Sequence, residues 1–356
     1  MTEEMEKTAS ILITGASGFI GSFIVEEGLA RGFDVWAGVR STSSKVYLQD
    51  HRIRFANLDL GNPQKLRAQL SELKAEMGGR GWDYVVHAAG ATKCLRAEDF
   101  FRTNTDGTRH LVEALRSEEM MPRRFVFVSS LSIFGAIREE PVRTPTADNP
   151  WRYAPILDSD KPQPNTAYGR SKLLAEQYLM EQQDVPLTIL RPTGVYGPRE
   201  KDYFLMAQSI QRHTDFAVGF RPQEITFVYM ADVVQAVYKC LDAPAAVGHA
   251  YFLSDGQVYH SRRFSDLLQR ELGNPWVLHI KAPLWFLRAV CWVSGRISRL
   301  TGRMNALNDD KYHILAQRNW QCDIEPARRD FGYEPQWDLE RGVAASVKWY
   351  KENGWL

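Results

Sequence analysis

Cysteine is scarce in this chain. Its four cysteines, Cys94, Cys240, Cys291 and Cys322, stand far apart and form no C-x-x-C pair. That argues against a zinc site or a disulfide framework and fits reduced thiols in a cytoplasm. No uninterrupted apolar run is long enough to span a bilayer. Residues 1–10 are acidic and polar, which is not the pattern of a signal peptide. Charge of either sign is also missing as a bulk property. With 44 basic and 43 acidic residues the net charge is +1, so no global field draws in nucleic acid. There is no internal repeat, low-complexity segment or nucleic-acid motif. The eight histidines show no metal-ligand spacing, so no metal is expected, and His87 reads as packed rather than ligating. What remains is 356 residues with 44% hydrophobic content, enough for one large α/β core and a smaller second lobe.

The most informative stretch is residues 11–21, ILITGASGFIG. Three apolar residues predict a short buried strand. Gly15, Gly18 and Gly21 follow in a G-x-x-G-x-x-G spacing, and residues 22–31 carry a helical apolar pattern. Strand, glycine turn and helix form the context a dinucleotide-binding fingerprint requires. Gly15 turns the chain off the strand, Gly18 leaves room for a pyrophosphate against the helix N-terminus, and Gly21 lets helix and sheet pack closely. The alternative is a glycine-rich turn without a ligand.

Residues 34–39 predict a second strand. It ends in Val39-Arg40-Ser41-Thr42, without the acid that commonly bonds an NAD ribose. Arg40 suits a 2′-phosphate instead, which favours NADP(H) with NAD(H) as the alternative; a solvated loop arginine is the plain reading. Residues 53–58 predict a third strand running into Asp59-Leu60, a carboxylate and an apolar side chain placed to hold adenine, although Asp59 can equally cap the next helix. Residues 84–88 predict a fourth strand ending at Ala88-Ala89-Gly90, where small side chains let a cofactor lie on the backbone. The alternation implies a doubly wound parallel sheet of Rossmann type with its ligand at the C-terminal edge. A fifth strand, 125–128, leads into Ser129-Ser130. The stretch 138–164, with six prolines, predicts an irregular surface segment near the site.

Tyr168 and Lys172 are spaced i, i+4 on a predicted helix ending near 182. A free phenol titrates near ~10 and a lysine near ~10.4, too high for proton transfer at neutral pH. A neighbouring ammonium favours phenolate, so Tyr168 can exchange a proton with a substrate oxygen while Ser130 donates to that oxygen. Lys172 can also bond the nicotinamide ribose.

Taken in order, these segments resemble the extended short-chain dehydrogenase/reductase family, which includes nucleotide-sugar epimerases, 3β-hydroxysteroid dehydrogenases and dihydroflavonol reductases. The likeness runs nearly end to end: residues 14–21 resemble its cofactor loop, and Asp59-Leu60, 87–90, Asn104 with Gly107-Thr108, Ser129-Ser130, 168–172, 191–198 and 227–232 resemble its later motifs. The resemblance implies a catalytic set of Ser130, Tyr168 and Lys172. It implies cofactor contacts from Gly15, Ser17, Gly18, Phe19, Ile20, Gly21, Arg40, Asp59, Leu60, Ala88, Ala89, Gly90, Tyr168, Lys172, Pro192 and Val195. Asn104 is read as a tie between strands, not as catalytic. A homodimer through 97–117 and 166–182 is also implied. The expected organisation is a cofactor domain over 1–195, with 225–255 returning to it, and a smaller, mostly helical substrate lobe from 196–224 and 256–356.

Departures from the family narrow the substrate. Leu131-Ser132 stands where sugar dehydratases carry Asp-Glu, which argues against dehydration. Ile225 stands where nucleotide-sugar enzymes carry a diphosphate-binding arginine, with Arg221 displaced. Phe134-Gly135 replaces the usual Tyr-Gly and suggests an apolar wall. In residues 284–303, Arg288, Arg296, Arg299 and Arg303 fall on one helical arc of about 80° that also holds Trp285 and Trp292, and the rest of the circumference is mostly apolar. Arginine and tryptophan suit a membrane interface, and the apolar side suits a greasy cleft; a helix packed on the cofactor domain or at a dimer contact is the alternative. The expectation is a cytoplasmic NAD(P)-dependent oxidoreductase interconverting a ketone and a secondary alcohol on a hydrophobic, steroid-like or long-chain 3-oxo substrate. A nucleotide-sugar 4-epimerase with retained NAD is the alternative, and a non-catalytic dinucleotide sensor a second.

Overall fold

A computed structural model describes residues 8–141, 152–301 and 308–356. Strands β1 (Ser10–Thr14), β2 (Asp34–Val39), β3 (Arg54–Asn57), β4 (Tyr84–His87), β5 (Arg124–Val128) and β6 (Leu187–Pro192) alternate with helices α1 (Phe19–Ala30), α2 (Pro63–Glu76), α3 (Ala97–Phe100), α4 (Gly107–Ser117) and α5 (Ala167–Met180). Between α3 and α4 the chain makes a π-turn over Phe101–Asp106. Then follow β7 (Gly194–Tyr196), α6 (Lys201–Gln211), β8 (Thr214–Val218), β9 (Glu224–Ile225), β10 (Phe227–Tyr229), α7 (Met230–Leu241), β11 (His249–Leu253), β12 (Tyr259–His260), α8 (Arg263–Glu271), β13 (Leu278–Ala282) and α9 (Leu284–Thr301). The chain closes with α10 (Asp309–Ala316), α11 (Glu325–Phe331) and α12 (Leu339–Glu352).

Seven strands form one parallel sheet in the order β11-β6-β5-β4-β1-β2-β3. Residues alternate between its faces, as period-two geometry requires. Ile11 and Ile13 of β1 enter one core with Val25 of α1 and Val237 of α7, while Leu12 enters a second core with Leu66 of α2 and Leu111 of α4. A third core around Tyr196, Phe264 and Tyr350 holds the smaller lobe. Local signals set several boundaries. Thr166 caps α5 by accepting from Gly169 N at 2.9 Å, and Asp338 caps α12 through Arg341 N at 2.8 Å. The cap of α2 is Asn62 rather than Asp59: its Oδ1 accepts from Lys65 N at 3.0 Å, with Pro63 opening the helix.

The return of 225–255 to the sheet is made by β11, and α7 packs on α1. The first strands of that stretch go elsewhere: β10 pairs in parallel with β7, and β9 pairs antiparallel with β12. The last hundred residues do not stay in the smaller lobe either. Ile324, Ala327, Phe331 and Tyr333 are buried in the first core of the sheet domain. The segment expected to lie at the surface near the site is also different. Tyr153 and Ile156 are buried, and Ile156 bridges to Cys322. None of its described residues lines the central cavity; residues 142–151 lie outside the described part. Its prolines make it irregular, but its apolar side chains anchor it.

Candidate active site

A cavity of about 1510 Å³ opens at the C-terminal ends of the sheet strands and runs between the two lobes. Every residue assigned above to cofactor or catalysis lines it, except Lys172. Gly18 caps α1 with no side-chain hydrogen bond, so the first-turn N–H groups of the helix face the cavity without a capping side chain. That is the arrangement a pyrophosphate requires. The floor is equally close. A Cβ on Gly90 would stand 3.1 Å from both Asn104 Oδ1 and Lys172 Nζ. Only a residue without a side chain leaves this floor flat, so the cradle fits a nicotinamide dinucleotide. Arg40 and Ser43 line the far end, and the Arg40 guanidinium makes no ion pair among the described residues. Asp59 also lines that end, but its carboxylate is engaged by Lys65 Nζ at 3.1 Å and Gly61 N at 3.2 Å.

Burial raises the pKa of the Tyr168 phenol, and the neighbouring Ser130 hydroxyl opposes that shift. Lys172 projects from the next turn of α5, buried, and its Nζ donates to Val128 O at 2.8 Å. Burial pulls its pKa down to about 8, opposed by Glu176 one turn further on. The i, i+4 spacing read from the sequence therefore brings phenol and ammonium to one face.

Three residues support this set, and the roles of Arg191 and Asp310 were not visible in the chain. Arg191 on β6 holds Glu176 through a buried pair, Nη2 to Oε2 at 2.7 Å, and also contacts Asp158. Asn104 Oδ1 accepts from Ala91 N at 2.7 Å, and its Nδ2 donates to Ser171 Oγ at 2.9 Å. It ties the strand-end loop to α5 at the π-turn rather than strand to strand. Asp310 on α10 accepts from Ala167 N at 2.9 Å and Tyr168 N at 3.2 Å. The smaller lobe thus supplies a carboxylate to the N-terminus of α5, where the helix dipole favours it. Asp310→Ala is expected to lower kcat by roughly fivefold, as loss of a ~1 kcal/mol cap suggests. Dinucleotide affinity should stay unchanged in a fluorescence titration; an unaltered kcat would remove Asp310 from the positioning of Tyr168.

His87 is packed, as expected. Its Nδ1 lies 2.7 Å from Thr14 Oγ1 and its Nε2 2.9 Å from Thr108 Oγ1. Thr108 Oγ1 donates to Asn104 O, so it accepts from Nε2–H, and Thr14 donates to Nδ1. Burial lowers the imidazole to about 3, so it stays neutral. No group of side chains able to hold a metal occurs among the described residues.

The expected apolar wall is built by other residues. Phe134 is wholly buried against Phe252, away from the cavity. Beyond Tyr168 the lining instead includes Phe216, Phe286, Leu287, Val290, Ile314 and Leu315. Leu131 and Ser132 follow Ser130 in the wall, so no carboxylate occupies those two positions. Ile225 faces the cavity and Arg221 does not. Arg262 does line it, but is drawn to Asp215 at 3.4 Å and Asp266 at 3.0 Å.

A parallel doubly wound sheet, an uncapped helix N-terminus over a glycine turn, and a Ser–Tyr–Lys set at the strand ends define a dinucleotide-dependent oxidoreductase. The chain belongs to the NAD dependent epimerase/dehydratase family, whose model matches residues 11–254. It is 26% identical to a 2-alkyl-3-oxoalkanoate reductase of Stenotrophomonas maltophilia over 94% of this chain and 97% of that protein. It is 23% identical to a decarboxylating sterol-4-alpha-carboxylate 3-dehydrogenase of Saccharomyces cerevisiae, covering 98% and 99%. Among solved structures, the UDP-glucose 4-epimerase of Thermotoga maritima with UDP-glucose superposes with a TM-score of 0.72 at 21% identity, covering 97% and 99%.

Proposed function

We propose that this enzyme interconverts a ketone and a secondary alcohol on a hydrophobic substrate, with NADP(H) as the favoured cofactor. The observation that carries the reading is the apolar wall beyond Tyr168, from Phe216 through Phe286, Val290 and Leu315. Likeness to two relatives that match over nearly their whole length, an oxoalkanoate reductase and a sterol dehydrogenase, supports it. A bound dinucleotide supplies or accepts the hydride. The chain does the rest: Ser130 donates to the substrate oxygen, Tyr168 passes it a proton or takes one, and the Lys172 ammonium lowers the cost of phenolate. Pairing of two copies through α4 and α5 is part of the proposal, and solution mass is its check.

A nucleotide-sugar 4-epimerase is the second reading, favoured by the full-length likeness to UDP-glucose 4-epimerases. Denaturing the purified protein and identifying any released nucleotide separates the two. Loose binding with strong preference for NADPH supports net reduction; tight, non-exchanging NAD overturns it in favour of the epimerase. Arg40→Glu is expected to weaken NADPH about ten- to hundredfold and NADH little, the scale of one charge-assisted phosphate contact. Equal effects on both cofactors would remove Arg40 from 2′-phosphate recognition.

A further inference from the structure

The helix α9 has three sides. Leu287, Cys291 and Ser298 form a narrow buried stripe. About 100° away, Phe286, Val293, Ile297 and Leu300 form an apolar stripe that is exposed, Leu300 at 86%. Beyond it lies an exposed arc with Trp285, Trp292, Arg288 and Arg296, where Arg296 stacks on Trp292 at 4.9 Å. The apolar exposure continues off the helix. In the β8–β13 pair, Phe216 stands directly opposite Ile280, with Leu278 two residues along. Phe216, Leu278, Phe220 and Trp276 are all more than half exposed. An apolar surface on this scale is unusual on a protein that meets only water.

The charge on this surface has one sign. No acidic residue occurs between Glu271 and Asp309 in the chain, and among the described side chains the cations here are Lys281, Arg288 and Arg296. Asp215 of β8 is buried and bound by Arg262 and His279. A second copy of the same surface would bring like charges together. An anionic bilayer offers both complements at once: negative headgroups for the cations, and an interface for tryptophan and aliphatic side chains. No helix among the described residues is long and apolar enough to cross a membrane, so the contact is peripheral. Phe216 and Phe286 belong both to this surface and to the cavity lining.

The geometry points to a membrane-docking face made of α9 and the β8–β13 ribbon, seated on anionic lipid with the mouth of the substrate cavity in the contact. Docking does not depend on the proposed reaction, and its test needs no turnover. The full-length protein is sedimented with vesicles of phosphatidylcholine alone and of phosphatidylcholine with phosphatidylglycerol, at physiological salt. Binding is expected to the anionic vesicles and to be at least about tenfold weaker without phosphatidylglycerol. The variant Trp285→Ala, Trp292→Ala, Arg296→Glu, none of whose positions lines the cavity, is expected to bind anionic vesicles at least about tenfold more weakly. It should still titrate with dinucleotide like the wild type, which checks the fold. No sedimentation with either vesicle, or undiminished binding by the variant, overturns the proposal. A variant that changes only from dimer to monomer, with no vesicle binding in the wild type, overturns it in favour of self-association.

Discussion

Tyr168→Phe is expected to lower turnover at least about a thousandfold while leaving dinucleotide affinity within about twofold, because only the proton-carrying oxygen is removed. On the transition-state scale that is about 4 kcal/mol, within what one positioned acid or base supplies. The ring stays in place: it packs edge-on to Phe100 at a centroid distance of 6.1 Å, and that contact does not need the hydroxyl. The pH profile gives the same assignment a second check. Lys172, lowered by burial to about 8, carries its proton below that pH and loses it above. Carbonyl reduction also needs Tyr168 protonated, so reductive kcat should be flat at acid to neutral pH and fall as pH rises through about 8. Alcohol oxidation needs the phenolate, whose pKa burial raises; its rate should climb with pH until Lys172 discharges. A steady-state profile that is unchanged in Lys172→Met would refute the role given to the ammonium, and substantial turnover by Tyr168→Phe would refute the mechanism.

Gly21→Val should cost at least about a hundredfold in dinucleotide affinity and lower the melting temperature, since overpacking costs about 1–3 kcal/mol even where the structure can yield. Here it cannot yield cheaply. A Cβ at Gly21 would stand 2.1 Å from Gly15 O and 2.9 Å from Ala16 Cα, both backbone. Gly15 itself sits at φ +69°, so it cannot shift freely and keep the turn. Relieving the clash means pushing the glycine loop off the helix, which moves the N–H groups that would meet the pyrophosphate. Gly295→Ala is the control: a Cβ there meets no atom within 4 Å in the middle of α9, and the change should be neutral or slightly stabilising. Calorimetric titration of the cofactor and thermal melts on both variants check the contrast. Retained affinity in Gly21→Val would mean that this loop is not the dinucleotide cradle.

The parts of this protein that depend on near neighbours in the chain were legible from the sequence. The alternation of Ile11, Leu12 and Ile13 already places two faces of a sheet. The G-x-x-G-x-x-G spacing places the turn and the helix N-terminus, and the i, i+4 spacing of Tyr168 and Lys172 places phenol and ammonium together. Each follows from the geometry of a strand or a helix, which repeats every two residues or every 3.6.

What the sequence left open depends on partners far along the chain. Asp310 meets the Tyr168 amide from 142 positions away, and nothing around Asp310 distinguishes it from any other first-turn acid. Arg191 looked like part of a strand-end motif, and only the packing of β6 against α5 makes it the clamp on Glu176. Phe134 follows Ser130 closely, yet the 3₁₀ turn at Leu131–Ile133 directs it into the core against Phe252. The proline-rich segment offered no periodicity, and its anchoring through Tyr153 and Ile156 is a matter of which surface it meets. The helical wheel of α9 separated arginine and tryptophan from the apolar positions. Which apolar side is buried and which stands open to solvent was decided by the packing of α10 on α9, because burial is a property of what lies opposite a side chain and not of the side chain itself.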